Sequence, residues 1–154
     1  MFRQRARGSE FLDRPESDPR LLAQSYRFMR FVNRTGGGIR LVRRFLAREL
    51  AKPGAANPVR ILELGSGDCD IPLALTRWAG EHGYRVEFTC LDHNEKAFEM
   101  AQQAVEKSGC SGIRLERTDM FTYQPDRDFD YAISSMTFHH FTDDDIDRLI
   151  GHLR

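Results

Sequence analysis

The 154-residue chain has little cysteine and no long apolar run. Its three cysteines, Cys69, Cys90 and Cys110, form no C-x-x-C pair. An odd number of cysteines without an apolar secretory segment predicts a protein of the reducing cytoplasm. No stretch approaches the ~20 apolar residues that a membrane span requires, and no internal repeat is present. The length of the chain predicts a single domain with a core of its own.

The chain also has no net charge, but its charges are unevenly distributed. Residues 1–60 hold 14 Lys and Arg against 5 Asp and Glu, whereas residues 61–154 hold 9 against 18. A basic segment of this kind can be a surface for nucleic acid or for a membrane. It can also consist of solvated helical faces that dock on an acidic domain, which is the interpretation we favour.

Residues 59–75 predict a strand, a turn and a helix in succession. The stretch begins with an apolar run that is too short for a helix and suits a strand buried on both faces. Gly65 and Gly67 then allow a tight turn with positive φ and a close approach of a ligand to the backbone. Asp70 is the expected N-cap of the following helix, and Pro72 is tolerated in its first turn. This combination is typical of a nucleotide-binding corner.

The residues after the glycines restrict the choice of nucleotide. Asp70 occupies the position of the third glycine in the dinucleotide fingerprint G-x-G-x-x-G, where a carboxylate would repel a pyrophosphate. No G-K-[ST] follows, which excludes a P-loop. Glu63 and Asp68 flank the turn and would attract a cationic ligand, such as an amine or a sulfonium.

Helices and strands alternate along the rest of the chain, which predicts an α/β fold with a doubly wound parallel sheet. The predicted helices are 19–33 (with Asp18 as N-cap), 39–50, 71–81 (with Asp70 as N-cap), 95–107 (with Asn94 as N-cap) and 143–154. The predicted strands are 59–64, 86–91, 113–118 and 129–134. Right-handed crossovers place the carboxyl ends of parallel strands at one edge of the sheet, where ligands bind. The residues expected at that edge are Gly65, Asp92, Asp119 and Ser134.

The run Glu63-Leu64-Gly65-Ser66-Gly67 resembles motif I of the class I S-adenosylmethionine-dependent methyltransferases. In that family an acidic residue precedes the first glycine, and the loop wraps the methionine end of the cofactor. The resemblance therefore implies a Rossmann-like fold that binds S-adenosyl-L-methionine, with Glu63, Gly65, Ser66 and Gly67 in the cofactor site. The chain departs from the fuller motif at Cys69, where the family often has a third glycine.

Residues at the later strand ends extend this resemblance to the whole of 59–154. It implies that Asp92 binds the ribose diol, for which a carboxylate is a suitable acceptor. His93 would then lie near the adenine edge. Asp119 would accept from the adenine amino group, and Met120 would line the base. Ser134 completes the set of expected cofactor-binding residues at the end of the fourth strand.

The segment 129–141 resembles motif IV of small-molecule methyltransferases, followed by their paired histidines. His139 and His140 are the candidate catalytic residues, because a histidine titrates near neutrality and could take a proton from a phenol or enol. A structural role for the pair is the alternative. No metal is predicted, because adjacent histidines are expected to point apart and no second ligand cluster exists. The acidic run 143–145 suits the first turn of a helix.

The sequence thus predicts a cytoplasmic S-adenosylmethionine-dependent methyltransferase that acts on a small phenolic, polyketide or quinol acceptor. Residues 1–17 are expected to form a flexible tail, residues 18–57 a helical lid, and residues 58–154 the cofactor-binding domain. The alternatives are an RNA or DNA methyltransferase that uses the Arg-rich N-terminal part, or a cofactor-binding protein without catalysis. Nucleic acid is the less favoured partner, because the fourth strand lacks the Asn/Asp-Pro-Pro-aromatic signature of amino-directed base methylases.

The number of strands leads to one more expectation. The family that the chain resembles has a seven-stranded sheet, whereas four strands are predicted here. We therefore expect an incomplete, truncated methyltransferase domain with weak cofactor binding and little turnover. The fourth strand would form an open sheet edge, and such an edge can pair with another chain.

Overall fold

The computed structural model of the protein describes residues 19–54 and 57–153. Two helices come first, α1 (Pro19–Thr35) and α2 (Gly38–Leu50), each within two residues of its predicted bounds. The predicted tail and the predicted N-cap Asp18 lie outside the described residues. Among the described helices, none has the length and apolar character needed to cross a lipid bilayer.

Four strands form one sheet in which every neighbouring pair is parallel. They are β1 (Val59–Leu64), β2 (Val86–Asp92), β3 (Ile113–Arg117) and β4 (Tyr131–Ser134). Their order in the sheet is β3-β2-β1-β4, so the strand that carries the glycine turn lies inside the sheet. This arrangement confirms the predicted α/β fold with a parallel sheet.

The fourth strand begins two residues later than predicted. A side-chain oxygen of Asp130 accepts a hydrogen bond from the Arg60 backbone N–H at 2.7 Å. Because a side chain takes this donor, the regular pairing between β1 and β4 starts only at Tyr131, opposite Ile61.

Three further helices are α3 (Asp70–Glu81), α4 (Glu95–Ser108) and α5 (Asp143–His152). The predicted cap of α4 is present, since Asn94 Oδ1 accepts from the backbone N–H of Ala97 at 3.1 Å. Thr142 caps α5 in a capping box with Asp145, in which each side chain binds the other residue's backbone N–H. Pro72 lies in the first turn of α3, as expected.

Two helix ends differ from the predictions. The N-cap of α3 is Cys69, not Asp70, and its φ of 60° is left-handed. Asp70 instead forms the first residue of the helix, because the turn is completed by the backbone of Cys69 and the Asp70 side chain has another partner. Helix α5 ends at His152 and not at Arg154, which lies outside the described residues.

The core lies on both faces of the sheet, as a doubly wound fold requires. Helices α2, α3 and α4 contribute to the larger cluster on one face, around residues such as Leu46, Ile61, Leu75 and Phe88. The smaller cluster on the other face includes Leu149 of α5. Since both faces are covered by helices, the carboxyl edge of the sheet is left as the place where loops and polar side chains meet.

Candidate functional site

The glycine turn after β1 folds over the end of β2. The backbone N–H groups of Gly65 and Ser66 both donate to the Leu91 carbonyl oxygen, at 2.9 and 3.0 Å. Gly65 has a φ of 68° and Gly67 a φ of 54°, the left-handed region in which glycine carries no steric penalty. The positive φ predicted for both glycines is confirmed.

Asp92 lies directly beside this turn. Its Oδ2 accepts from the Gly67 backbone N–H at 2.8 Å, and its Oδ1 accepts from the Asn94 backbone N–H at 2.9 Å. The half-buried carboxylate is therefore fixed at the carboxyl end of β2. The sheet brings Gly67 and Asp92 together although 25 residues separate them in the chain.

Helix α1 packs onto the same turn. Nη1 of Arg30 lies 2.9 Å from Oδ2 of Asp68, and Nδ2 of Asn33 donates to both carboxylate oxygens of Asp70, at 3.1 and 3.2 Å. The ring of Tyr26 lies over Gly67, where an added Cβ would come within 3.0 Å of Tyr26 Cε1. The helix thus covers the turn through three side chains.

These contacts change the electrostatic interpretation of the turn. Asp68 was expected to attract a cationic ligand, but it is buried and paired with Arg30. Burial raises the pKa of Asp68 to about 6, although the Arg30 cation opposes this shift. Burial also raises the pKa of Asp70, against the hydrogen bond from Asn33. The two aspartates therefore serve mainly to attach α1 to the turn.

Glu63 is placed beneath the turn and not on its surface. Its side chain is 3% exposed, and burial raises its pKa well above the usual range. The nearby acidic groups, among them Cys69, Asp70 and Asp92, shift the pKa in the same direction. A raised pKa favours the protonated form of the carboxyl group, so Glu63 is a weaker partner for a sulfonium than an exposed carboxylate would be.

The residues predicted at the adenine position lie after β2 and β3. Asp119 is exposed, and its Oδ1 accepts from the Phe121 backbone N–H at 2.9 Å. Met120, the next residue, is buried in the smaller core cluster. His93 follows Asp92 and is exposed. A carboxylate and an imidazole are thus exposed at this edge, whereas the Met120 side chain is buried behind it.

The segment after β4 meets the glycine turn. The Ser134 hydroxyl donates to the Leu64 carbonyl oxygen at 3.0 Å and so links β4 to β1. Thr137 Oγ1 lies 3.1 Å from the Ser135 carbonyl oxygen and 3.3 Å from that of Gly65, and the Thr137 side chain fills the space above Gly65. Ser134 therefore supports the turn with a hydroxyl that the backbone already uses.

His139 and His140 lie in a short 3₁₀ helix, Phe138–His140, and both are exposed. Their ring centroids are 4.1 Å apart and their planes are inclined by 33°. The expectation that the two side chains point apart is wrong, because the tight turn lets the two rings stack. Since Thr137 contacts Gly65, the pair follows a segment that is anchored at the glycine turn.

Sequence reasoning did not identify the residues through which α1 and the segment after β4 hold the turn. These are Tyr26, Arg30, Asn33 and Thr137. The first three are spaced four and three residues apart, which puts them on one face of α1 and indicates that this face packs against another part of the protein. The partner itself only becomes visible in three dimensions.

A parallel sheet with this strand order, a glycine turn after β1 and a carboxylate at the end of β2 defines the fold of the class I S-adenosylmethionine-dependent methyltransferases. Residues 61–154 match the family model described as "Methyltransferase domain", which is more than half of the chain. The chain belongs to this family. A search of curated proteins gave no match.

Solved structures of methyltransferases share this fold. A candidate S-adenosyl-L-methionine-dependent methyltransferase from Methanococcus maripaludis is 14% identical with a TM-score of 0.64, and the match covers 96% of this chain and 60% of that one. Magnesium protoporphyrin IX methyltransferase from Synechocystis, solved with S-adenosylhomocysteine, is 17% identical with a TM-score of 0.61 and coverages of 75% and 48%. A Thiobacillus denitrificans methyltransferase, also solved with S-adenosylhomocysteine, is 23% identical with a TM-score of 0.51. The match covers 73% of this chain and 43% of that one. The chain thus spans between 43% and 60% of the lengths of these structures.

Proposed function

We propose that this chain binds S-adenosyl-L-methionine at the carboxyl edge of its sheet and transfers the sulfonium methyl group to an acceptor. The observation that carries the proposal is the contact between the Gly67 N–H and the Asp92 carboxylate, which fixes a hydrogen-bond acceptor beside the glycine turn. A carboxylate can accept hydrogen bonds at both oxygens, which suits it to a ribose diol. Family membership and the shared fold support the choice of cofactor.

We propose the remaining roles from the position of each group. The turn Gly65–Gly67 would hold the methionine end, Asp119 would accept from the adenine amino group, and Met120 and His93 would line the base. Glu63 and Ser134 would act indirectly, from beneath the turn and from the β4 junction. In the reaction the S–CH₃ bond breaks as the acceptor's nucleophile bonds to the methyl carbon, and S-adenosylhomocysteine leaves. Alignment in a closed site would supply most of the acceleration.

For the acceptor we propose a small phenolic, polyketide or quinol compound. The half-buried rings of Phe121, Phe138 and Phe141 pack close to the carboxyl edge and could flank a flat ring. His139 or His140 would take the acceptor's proton where the acceptor arrives protonated. Helices α1 and α2 would act as a lid, since α1 already contacts the turn.

A second candidate acceptor is nucleic acid. Helix α2 exposes four arginines, which are Arg40, Arg43, Arg44 and Arg48. Helices α1 and α2 together contain a single acidic residue. Binding to phosphates through such a face would fall steeply with salt. Methylation of RNA or DNA that disappears together with binding as salt rises would favour this alternative.

Calorimetry and turnover together test the proposal. The 154-residue chain is titrated with S-adenosylmethionine and S-adenosylhomocysteine, and then incubated with labelled cofactor and a panel of phenols, quinols, polyketides and a porphyrin. We expect binding of both cofactor forms, no binding of NAD, and label on a ring-bearing acceptor. Cofactor binding without label on any acceptor would support a non-catalytic protein. Absence of cofactor binding would contradict the proposal.

A further inference from the structure

Three potential metal ligands meet beneath the glycine turn. They are Glu63 on β1, Cys69 at the N-cap of α3 and Cys90 on β2, with exposed fractions of 3%, 0% and 1%. Glu63 and Cys90 are register partners on adjacent strands, and Cys69 reaches them from the turn. One donor atom from each side chain lies within 4.8 Å of the others. Neither of the two thiols has a role in the proposed methyl transfer, and Glu63 acts there only indirectly, from beneath the turn.

The carboxyl group of Glu63 gives a second, independent observation. Its Oε2 is buried and has no hydrogen-bond partner among the described residues. A buried polar atom without a partner costs about 1–3 kcal/mol, so such atoms are rare unless water or an ion meets them. Two thiols, which are weak hydrogen-bond donors, are the neighbouring groups here.

The backbone at Cys69 agrees with this interpretation. Cys69 has a φ of 60°, and Met136 is the other non-glycine residue with positive φ among the described residues. A side chain in this conformation costs about 1–2 kcal/mol relative to glycine. Cys69 therefore occupies a position whose backbone conformation favours glycine, and its sulfur lies inside the cluster.

We propose that Glu63, Cys69 and Cys90 form a three-ligand site for a thiophilic divalent cation, of which Zn²⁺ is the natural probe, with a water in the fourth tetrahedral position. Thiolates and a carboxylate are ligands that Zn²⁺ takes, with Zn–S distances of about 2.3 Å. Tetrahedral geometry at that length separates two sulfurs by about 3.8 Å, so the donors would close in by about 1 Å at most. On coordination the ligands are deprotonated and their protons pass to solvent. The ion would tie the turn to the two central strands.

The complete burial of the cluster determines how the site must be loaded. Because all three ligands are buried, the ion has to enter as the chain folds. The 154-residue chain is therefore unfolded and refolded with a thiol-free reductant and equimolar Zn²⁺, desalted, and analysed for bound metal. We expect about one equivalent per chain. Refolding with Co²⁺ should give the thiolate-to-cobalt charge-transfer band in the near ultraviolet.

The chain offers matched variants for this test. Cys69→Gly removes one ligand at a position where glycine suits the backbone, so it should fold, and Cys90→Ala removes another. Both should lower the metal affinity by about tenfold or more and abolish the charge-transfer band. Cys110→Ser removes the cysteine outside the cluster and should change nothing. The double variant His139→Asn/His140→Asn controls for metal on the exposed histidine pair.

Three results would overturn the proposal. The refolded wild-type chain could retain no stoichiometric metal, Cys69→Gly could retain as much metal as the wild type, or the bound metal could disappear only in the double histidine variant. The first result needs no variant to fold. The metal measurement is also independent of cofactor binding, so it does not depend on the proposed methyl transfer.

Discussion

Arg30 Nη1 lies 2.9 Å from Asp68 Oδ2, and this ion pair joins helix α1 to the glycine turn. Asp68 is 5% exposed, whereas the Arg30 side chain is 42% exposed. Removal of the arginine would therefore leave a buried carboxylate without its cation, which is the costly half of the pair. The Asn33–Asp70 contact one turn further along α1 would remain.

The first prediction is a pH-dependent loss of stability in Arg30→Ala. The pKa of Asp68 is raised to about 6 in the folded protein, compared with about 3.9 in an unfolded chain. The folded state therefore binds this proton more tightly, and the resulting stability is present below pH ~3.9 and lost as the pH rises through about 6. Without Arg30 the pKa of Asp68 rises further. The free energy of unfolding that Arg30→Ala loses relative to the wild type therefore grows as the pH rises.

Urea unfolding at two pH values measures this effect. We expect Arg30→Ala to lose about 2 kcal/mol at pH ~8 and less than about 1 kcal/mol at pH ~5, where Asp68 is mostly protonated in both proteins. Arg27→Ala, which removes an exposed arginine of the same helix, is the control and should show no such difference. Equal losses for Arg30→Ala at both pH values would contradict the assignment.

The second prediction concerns Asp92. Asp92→Ala should weaken S-adenosylmethionine binding by roughly 3 kcal/mol, or about 100-fold, because a charged acceptor for two hydrogen bonds is lost. Part of this loss would come from the turn, since Asp92 also accepts from the Gly67 N–H. Calorimetry of Asp92→Ala beside the exposed control Asp128→Ala measures it. Unchanged affinity in the Asp92 variant would remove this residue from the site.

The third prediction separates two roles for the histidine pair. Both rings are exposed, so alanine at His139 or His140 should change the melting temperature little. If one of them is the base, its variant should lose about 10²–10⁴-fold in turnover rate with cofactor affinity unchanged. The loss should be smaller for an acceptor that is already deprotonated at the assay pH. Early melting with normal specific activity would instead make the pair structural.

The fourth prediction tests association through the sheet edge. In the described sheet β4 is an edge strand, and Ala132 within it is exposed. A lysine on an edge strand opposes pairing with another chain. If the wild-type chain associates through β4, Ala132→Lys should lower the scattering mass, whereas Gln102→Lys at an exposed position of α4 should not. A wild-type chain that is monomeric at all concentrations tested would remove the edge as an interface.

The sequence was sufficient for the order of the elements and for the position of Asp92. Apolar runs of strand length and glycine punctuation are local signals, and parallel strands bring their carboxyl ends together whatever their exact bounds. The N-cap of α4 was likewise predictable, because Asn94 acts on its own next turn. In contrast, Asp70 was expected as a cap, and its actual partner Asn33 lies 37 residues earlier.

The contacts that the sequence did not reveal are of this long-range kind. The spacing of Tyr26, Arg30 and Asn33 predicts one face of α1, but it does not say which surface that face meets. Thr137 follows β4 by three residues, and only the pairing of β4 with β1 brings it to Gly65. The stacking of His139 on His140 depends on a 3₁₀ turn for which no cap or periodicity was visible.

The last prediction measures how closely Thr137 fits against the turn. A Cβ at Gly65 would lie 2.5 Å from both Oγ1 and Cγ2 of Thr137. The backbone at this position also has a φ of 68°, which disfavours any side chain. Gly83 has a similar φ of 73° with nothing within 4 Å of the added Cβ. Gly83→Ala therefore pays only for the backbone, about 1–2 kcal/mol, whereas Gly65→Ala should lose about 1–3 kcal/mol more through overpacking.

A double-mutant cycle isolates the steric part of this loss. Thr137→Ala removes the two clashing atoms and leaves its Cβ at 3.1 Å from the new methyl group, a tight contact. In the Gly65→Ala background this second change should restore about 1–2 kcal/mol of unfolding free energy, so the two substitutions are coupled. Urea unfolding of the four proteins gives the coupling energy. Strict additivity would show that Thr137 does not fill the space above Gly65, and would separate the segment that carries the histidine pair from the glycine turn.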